Sequence, residues 1–224
     1  MKSFKQHIFE KLKVGVRNTT KHTLFPKTKG ELQKMIKDEI YRRGNECSLN
    51  HIDVSKITDM SRLFYDSTFN GDISNWDVSN VTDMMGIFWG SNFNGDISNW
   101  GVSNVENMSY MFCRSNFSGD ISDWDVSQVT SMYDMFQNNY KFNGDISNWD
   151  VSNVIDMRGM FMDSKFNGDI SNWNVSSVKY MDSMFEESKF NGDISKWDVS
   201  NVENMGFMFY HSPLQKNPPK WYKE

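Results

Sequence analysis

Aspartate follows glycine at regular intervals along most of the chain, and such a column of carboxylates is a candidate calcium site. Its six members are Asp72, Asp96, Asp120, Asp145, Asp169 and Asp193. Calcium-binding repeats use a denser Gly-Gly-x-Gly-x-Asp pattern, which gives each ion several oxygens. One carboxylate per repeat is more typical of a turn whose backbone amides donate to it. The sequence therefore favours a structural role for this column and predicts no metal site and no cofactor.

The other reactive side chains form no catalytic pattern. None of the four histidines lies at ligand spacing from a cysteine or from another histidine: His7, His22, His51 and His211. Cys47 and Cys113 occupy different positions of the repeat, which argues against a disulfide between them. No phosphate-binding loop, nucleophile elbow or zinc signature occurs. Because catalysis needs one constellation of unlike groups, we expect that this chain is not an enzyme.

Tryptophan forms a second column, and exposed indoles could stack on sugars. Seven of the eight tryptophans are spaced 24 or 25 residues apart: Trp76, Trp100, Trp124, Trp149, Trp173, Trp197 and Trp221. Each occupies the central apolar position of its repeat, where a side chain points inward. We therefore expect a structural ladder of buried indoles, which contributes a large apolar area per repeat.

Positions that differ between repeats are better candidates for ligand binding. They form two adjacent pairs per repeat, such as Met85-Gly86 and Trp89-Gly90. Six of these residues are tryptophan, tyrosine or arginine, the types that dominate protein interfaces: Trp89, Tyr110, Arg114, Tyr133, Arg158 and Tyr210. Drift on a free surface would also produce variability, and that alternative stays open.

These columns are positioned by a repeat of the phrase Asn-Gly-Asp-Ile-Ser-Asn-Trp-Asp-Val-Ser-Asn-Val. The spacing from Ile73 through Trp76 to Val78 is that of the leucine-rich-repeat strand. The residues from Ser79 onward are typical of a helix or 3₁₀ turn, and two repeats complete a capping box there. We expect Gly71 to supply a positive φ in the turn between repeats.

One repeat cannot bury its own apolar face, so neighbouring repeats must stack. We predict a right-handed, leucine-rich-repeat-like solenoid of about seven coils, each with one short β-strand and one short helix or 3₁₀ turn. One repeat is a residue longer within residues 137–141, which predicts a surface loop there.

Charge divides the chain into a head and a body. Residues 1–46 hold twelve Lys/Arg and five Asp/Glu, a formal +7, and residues 47–224 hold twelve and twenty-four, a formal −12. We predict a basic helical head that caps the first coil (1–46), the repeat solenoid (47–211) and a Pro-containing C-terminal cap (212–224). Two head helices are expected, one with apolar residues on one face and one opening with Thr28-x-x-Glu31. The apolar residues of the first are Phe4, Ile8, Phe9 and Leu12.

Composition argues against a disordered chain, a membrane-spanning protein and a disulfide-stapled secreted domain. Hydrophobic residues make up 38% and charged residues 24%, no run of 18 apolar residues occurs, and two cysteines cannot form a disulfide framework. Met1 to His7 are not followed by the apolar segment of a Sec signal, and no lipobox cysteine lies nearby. We expect a cytoplasmic protein, or one associated with a surface or particle by a non-Sec route.

The phrase from Phe69 to Val81, followed by a Met…Met-Phe segment, resembles the BspA-like bacterial surface-protein repeat. The resemblance covers about residues 24–211 and includes the lead-in around Pro26, Glu31 and Leu49. It implies a leucine-rich-repeat-like fold. Proteins with this repeat are thought of as surface or adhesion proteins of bacteria, and they also occur in phage-derived contexts.

Two functions from different classes follow. The first is a non-enzymatic scaffold that presents two exposed polar columns, which begin at Ser74 and Asn75, and the variable positions to a protein partner. The alternative is a structural or adhesive component of a bacterial cell surface or phage particle, with a protein or a glycan as its ligand. Nucleic acid is disfavoured because the charge of −12 on the body would repel it. The ligand, the binding face and the oligomeric state stay open.

Overall fold

The computed structural model describes residues 21–223. Within them the helices are α1, Lys29–Arg43, and a 3₁₀ helix, η1, Pro213–Lys216. Between α1 and η1 the chain forms a stack of turn-rich repeat units: 47–70, 71–94, 95–118, 119–143, 144–167, 168–191 and the unit that begins at 192. Neighbouring units are joined by isolated parallel β-bridges, the first of them Asp59 with Asp83 and the last Tyr180 with Asn204.

The predicted strand over residues 73–78 is wrong. The amide of Trp76 donates to the carbonyl of Ile73 at 3.2 Å, which closes a turn within the unit. The amide of Ser74 donates to the Asp72 carboxylate at 3.0 Å, which shapes a second turn immediately before it. Because Asp-x-Ser offers the backbone this local alternative, the Ile-x-x-Trp-x-Val segment is not extended.

The helix predicted from Ser79 onward is also wrong. The amide of Ser79 donates to Asp77 at 3.2 Å, so Ser79 lies in another Asp-x-Ser turn. In the two capping-box repeats, the amide of Glu106 donates to Thr82 of the preceding unit at 2.9 Å, and that of Glu203 donates to Lys179 at 2.8 Å. Stacking therefore uses backbone donors that a helix would have directed along its own axis.

Two residues in every unit have a positive φ, in all seven units. They are Arg62, Asp66, Gly86, Gly90, Tyr110, Arg114, Asp134, Asn138, Gly159, Asp163, Ser183, Glu187, Phe207 and His211. In the first six units each of them donates its amide to the next unit; the amide of Gly86, for example, donates to Ser109 at 2.8 Å, and that of Tyr110 to Tyr133 at 2.7 Å. A left-handed conformation costs an ordinary residue roughly 1–2 kcal/mol, and these hydrogen bonds offset that cost. Because the conformation recurs in every unit, it belongs to the architecture.

The core runs along the inside of the stack as columns of identical side chains. Two columns of phenylalanine stack face to face between units, as Phe88 does on Phe112 at 5.8 Å between ring centroids. Gly71 does not have the predicted positive φ. A Cβ at Gly71 would lie 2.0 Å from the Cys47 carbonyl oxygen, so glycine is needed there for close approach between units.

The two ends of the stack are covered differently. At the first unit, α1 buries Leu32 and Ile36 in the core, and the Thr28 hydroxyl accepts from the Glu31 amide as its N-cap. At the last unit, Trp221 stacks on Trp197 at 6.4 Å. The first helix predicted for the head lies outside the described residues.

Candidate functional site

The two variable pairs of each unit lie at the left-handed turns, and we call the surface that they form the variable face. It comprises Ser61-Arg62, Tyr65-Asp66, Met85-Gly86, Trp89-Gly90, Ser109-Tyr110, Cys113-Arg114, Tyr133-Asp134, Gln137-Asn138, Arg158-Gly159, Met162-Asp163, Asp182-Ser183, Glu186-Glu187, Gly206-Phe207 and Tyr210-His211. The second residue of every pair has the positive φ. Backbone hydrogen bonds between units hold this conformation, so the side chains can differ without altering the turn.

At the N-terminal end of the variable face, an aromatic stack runs across three units. The ring of Tyr65 lies 4.4 Å from that of Trp89, with 5° between their planes. The guanidinium of Arg114 lies over Trp89, 5.5 Å from the ring centroid. Tyr65 is 47% exposed. A stack of two rings and a cation presents both apolar area and positive charge to solvent.

A second cluster of rings follows in the middle of the face. Tyr110 meets Tyr133 edge to face at 4.8 Å. Arg158 lies over Tyr133 at 4.7 Å and over Tyr180 at 5.4 Å, so two rings flank its guanidinium. Burial, together with the neighbouring Tyr133, raises the pKa of Tyr110 well above its usual range, so its hydroxyl stays protonated.

Between these clusters lies a pocket of about 200 Å³, lined by Arg62, Tyr65, Met85, Gly86, Trp89 and Tyr110. Arg62, Gly86 and Tyr110 occupy equivalent positions in three successive units. A Cβ at Gly86 would lie 3.6 Å from the Arg62 Cγ and 3.8 Å from the Tyr110 Cβ. The pocket is therefore the gap that the missing side chain leaves in this column.

Carboxylates and one arginine form a partly buried network beside the second cluster. Arg158 donates to both oxygens of Asp156 at 2.6–3.1 Å. Burial raises the pKa of Asp134 to about 6, and it raises the pKa of Asp182 above its usual range. The Asp182 Oδ1 is buried and has no hydrogen-bond partner among the described residues.

The structure brings five of the six predicted binding residues together. Trp89, Tyr110, Arg114, Tyr133 and Arg158 lie in four successive units and contact one another through the two clusters. The sixth, Tyr210, lies in the last unit. There it meets Phe207 edge to face at 6.0 Å and stacks on His211 at 3.9 Å.

Arg62, Tyr65 and Tyr180 contribute to the pocket and the two clusters, and none of them was predicted. Arg62 and Tyr65 lie 24 residues before Gly86 and Trp89, so the repeat spacing itself could have placed them. They belong to the first unit, which matches the repeat phrase poorly. Tyr180 lies at the position of Asp83 and Asn107, which are polar, so nothing in the other units signalled a ring there.

The remaining columns lie away from this surface or inside the stack. Trp76 to Trp197 are 3–4% exposed. Each indole Nε1 donates to a backbone carbonyl of the preceding unit, as Trp124 does to Ile97 at 3.1 Å. In the aspartate column, Asp120 accepts from the Ser122 amide at 3.0 Å. The described residues contain no group of three metal-ligating side chains.

Within the variable face, Cys113 is 1% exposed, and burial raises the pKa of its thiol to about 12.

Comparison with known protein families matches residues 31–138 and 113–221 to the family described as Mycoplasma protein of unknown function, DUF285. The chain belongs to this family. The two matches confirm tandem repeats, whereas the closer assignment to BspA-like repeats stays a prediction. No curated protein and no solved structure matches the chain. Over residues 21–223, every helix is too short or too polar to span a bilayer.

Proposed function

We propose that this DUF285 chain is a non-enzymatic, protein-binding scaffold that uses the variable face to recognise its partner. The observation that carries the proposal is the contiguity of aromatic and arginine side chains from Tyr65 to Arg158, on turns whose backbone the stack fixes, with the ring of Tyr180 beside them. Interface hot spots are enriched in tryptophan, tyrosine and arginine, and they cluster.

Rigidity supports this assignment. Side chains that are already ordered lose less conformational freedom on binding than mobile ones do. Trp89 is held between Tyr65 and Arg114, and Arg158 is held between Tyr133 and Tyr180, before any partner arrives. A leucine-rich-repeat-like solenoid and a relation to BspA-like surface repeats are consistent with this role, and both belong to the proposal.

The test is partner capture from a native lysate, read by mass spectrometry, with the full chain as bait. A triple variant, Trp89→Ala, Tyr110→Ala and Tyr133→Ala, should reduce capture at least tenfold. The matched control replaces three exposed asparagines of another column, Asn99, Asn148 and Asn172, by alanine. Equal capture by the triple variant and the wild type, with both folded, would contradict the proposal.

A further inference from the structure

The pocket at Gly86 has the size and lining of a site for one side chain. Its volume of about 200 Å³ is below the range of about 300–1,000 Å³ that is typical of sites for drug-sized ligands. The rings of Tyr65, Trp89 and Tyr110 line it, and Met85 adds a polarizable thioether. Ring walls and a thioether favour an aromatic guest.

The charges around the pocket select between aromatic guests. Arg62 lines it, and its side chain forms no ion pair or hydrogen bond with any other of the residues 21–223. Arg114 lies against Trp89 and adds a second positive charge nearby. No carboxylate is among the lining residues; Asp66 approaches Gly90 instead, and the Asp83 carboxylate is engaged by the amide of Met85 at 2.8 Å. An aromatic cage can bind a cation, but these two guanidinium groups would repel one.

We propose that the Gly86 pocket binds an aromatic side chain of a partner protein that lies beside a carboxylate. The ring would enter the gap next to Trp89, and the carboxylate would pair with Arg62 at the rim. This inference rests on the proposed function, because it names the chemistry that one part of the variable face recognises.

Three phenols whose para substituents differ in charge test the ligand chemistry on the full chain. They are 4-hydroxyphenylacetate, an anion; p-cresol, which is neutral; and tyramine, a cation. Binding is followed by NMR through the methyl signal of Met85. The anion should bind about fivefold more tightly than p-cresol, and tyramine about fivefold more weakly, as expected for one unit charge about 4 Å away in water. Equal affinities, or a preference for tyramine, would overturn the proposal.

Variants at two left-handed glycines locate the site. Gly86→Asn should weaken the binding of all three phenols at least tenfold, because the new side chain fills the gap. Asparagine tolerates the positive φ at this position, so the turn should be kept. Gly90→Asn is the matched control, since Gly90 has a similar φ, 64° against 59°, but does not line the pocket. Arg62→Gln should reduce the preference for the anion, leaving only the contribution of Arg114, and should leave p-cresol binding within twofold. Unchanged binding in the Gly86→Asn variant would refute the site.

Partner capture separates the failure of this inference from the failure of the proposed function. Capture that is lost in the triple variant but kept in Gly86→Asn leaves the scaffold function standing and overturns the pocket. The expected order of phenols, together with capture that the triple variant keeps, supports the ligand chemistry of the pocket and contradicts the scaffold function.

Discussion

Asn139 decides whether the unit at 119–143 can hold its additional residue, and changing it tests how the stack accommodates an insertion. The other units carry serine at this position, as Ser115 and Ser188 show. Residues 137–141 were predicted to be a surface loop, and Tyr140 and Lys141 are exposed, but Asn139 is fully buried at 0%. Its Nδ2 group shares two hydrogens among three acceptors at 3.1–3.4 Å, Phe112 O, Ser115 Oγ and Phe117 O, and its Oδ1 accepts from the amides of Lys141 and Phe142 at 2.9 Å.

Removing this amide strands buried polar groups on two adjacent units. A buried group left without its partner costs about 1–3 kcal/mol, so Asn139→Ala should lower the free energy of unfolding by about 3–5 kcal/mol. Asn139→Ser should cost nearly as much, because a serine side chain cannot span the additional residue. Ser188→Ala is the control; its hydroxyl accepts one bond, from the Phe190 amide at 3.3 Å, and its loss should cost about 1 kcal/mol or less.

Deleting Tyr140 should restore the stability that Asn139→Ser loses. The double variant Asn139→Ser with Tyr140 deleted reads Asn-Ser-Lys-Phe, which matches Asp163-Ser164-Lys165-Phe166 except at its first residue. We expect it to lie within about 1 kcal/mol of the wild type, with a coupling energy between the two changes of about 3 kcal/mol. Urea unfolding followed by tryptophan fluorescence measures each value at constant m. A stable Asn139→Ser variant, or a deletion that fails to rescue it, would refute this account.

Four further predictions concern the tryptophan and aspartate columns and the buried carboxylate of Asp134. Trp124→Phe removes the donor to Ile97 and should cost about 2–3 kcal/mol in urea unfolding, with a smaller loss for Trp221→Phe at the half-exposed end. Because burial raises the pKa of Asp134 from 3.8 to about 6, its protonation favours folding below pH 3.8, and this contribution is lost as the pH rises through 6. Asp134→Asn should therefore gain about 1–2 kcal/mol at pH 8 and none at pH 4. Asp120→Asn should instead lose stability at pH 8, since the Ser122 amide lowers the pKa of Asp120. The melting temperature should be the same in excess chelator as in millimolar calcium; a rise with calcium would assign the aspartate column a metal site.

The repeat period was predictable from the sequence, and the local conformation within a repeat was not. Apolar spacing reports which side chains are buried, and Ile73, Trp76 and Val78 are all buried. It does not report how the chain travels between them. The Asp-x-Ser steps at Asp72 and Asp77 were the available signal, since such steps favour turns over strands.

Residue type indicates only half of the left-handed positions, since seven of the fourteen are Gly, Asn or Asp. Tyr110 and Arg114 have φ values of 60° and 55°, although neither residue type favours that region. Hydrogen bonds to the next unit impose this conformation, and no single repeat contains that information. The binding surface was partly predictable because a constant period brings equivalent residues into contact. The pocket was not, because it depends on a side chain that Gly86 lacks.

Stacking separates the residues that determine the fold from those that could determine binding. The side chains of the columns inside the stack repeat almost without change. Backbone hydrogen bonds between units hold the turns of the variable face. A substitution at an exposed variable position such as Arg62 or Arg114 therefore removes no core contact and no backbone hydrogen bond. Asp134 is an exception, because its side chain lies over Gly159 in the next unit. A Cβ at Gly159 would lie 2.0 Å from the Asp134 Oδ1. Side chains on this face are thus constrained mainly by their neighbours one unit away, so a partner that spans several units would meet a surface set by combinations of adjacent residues.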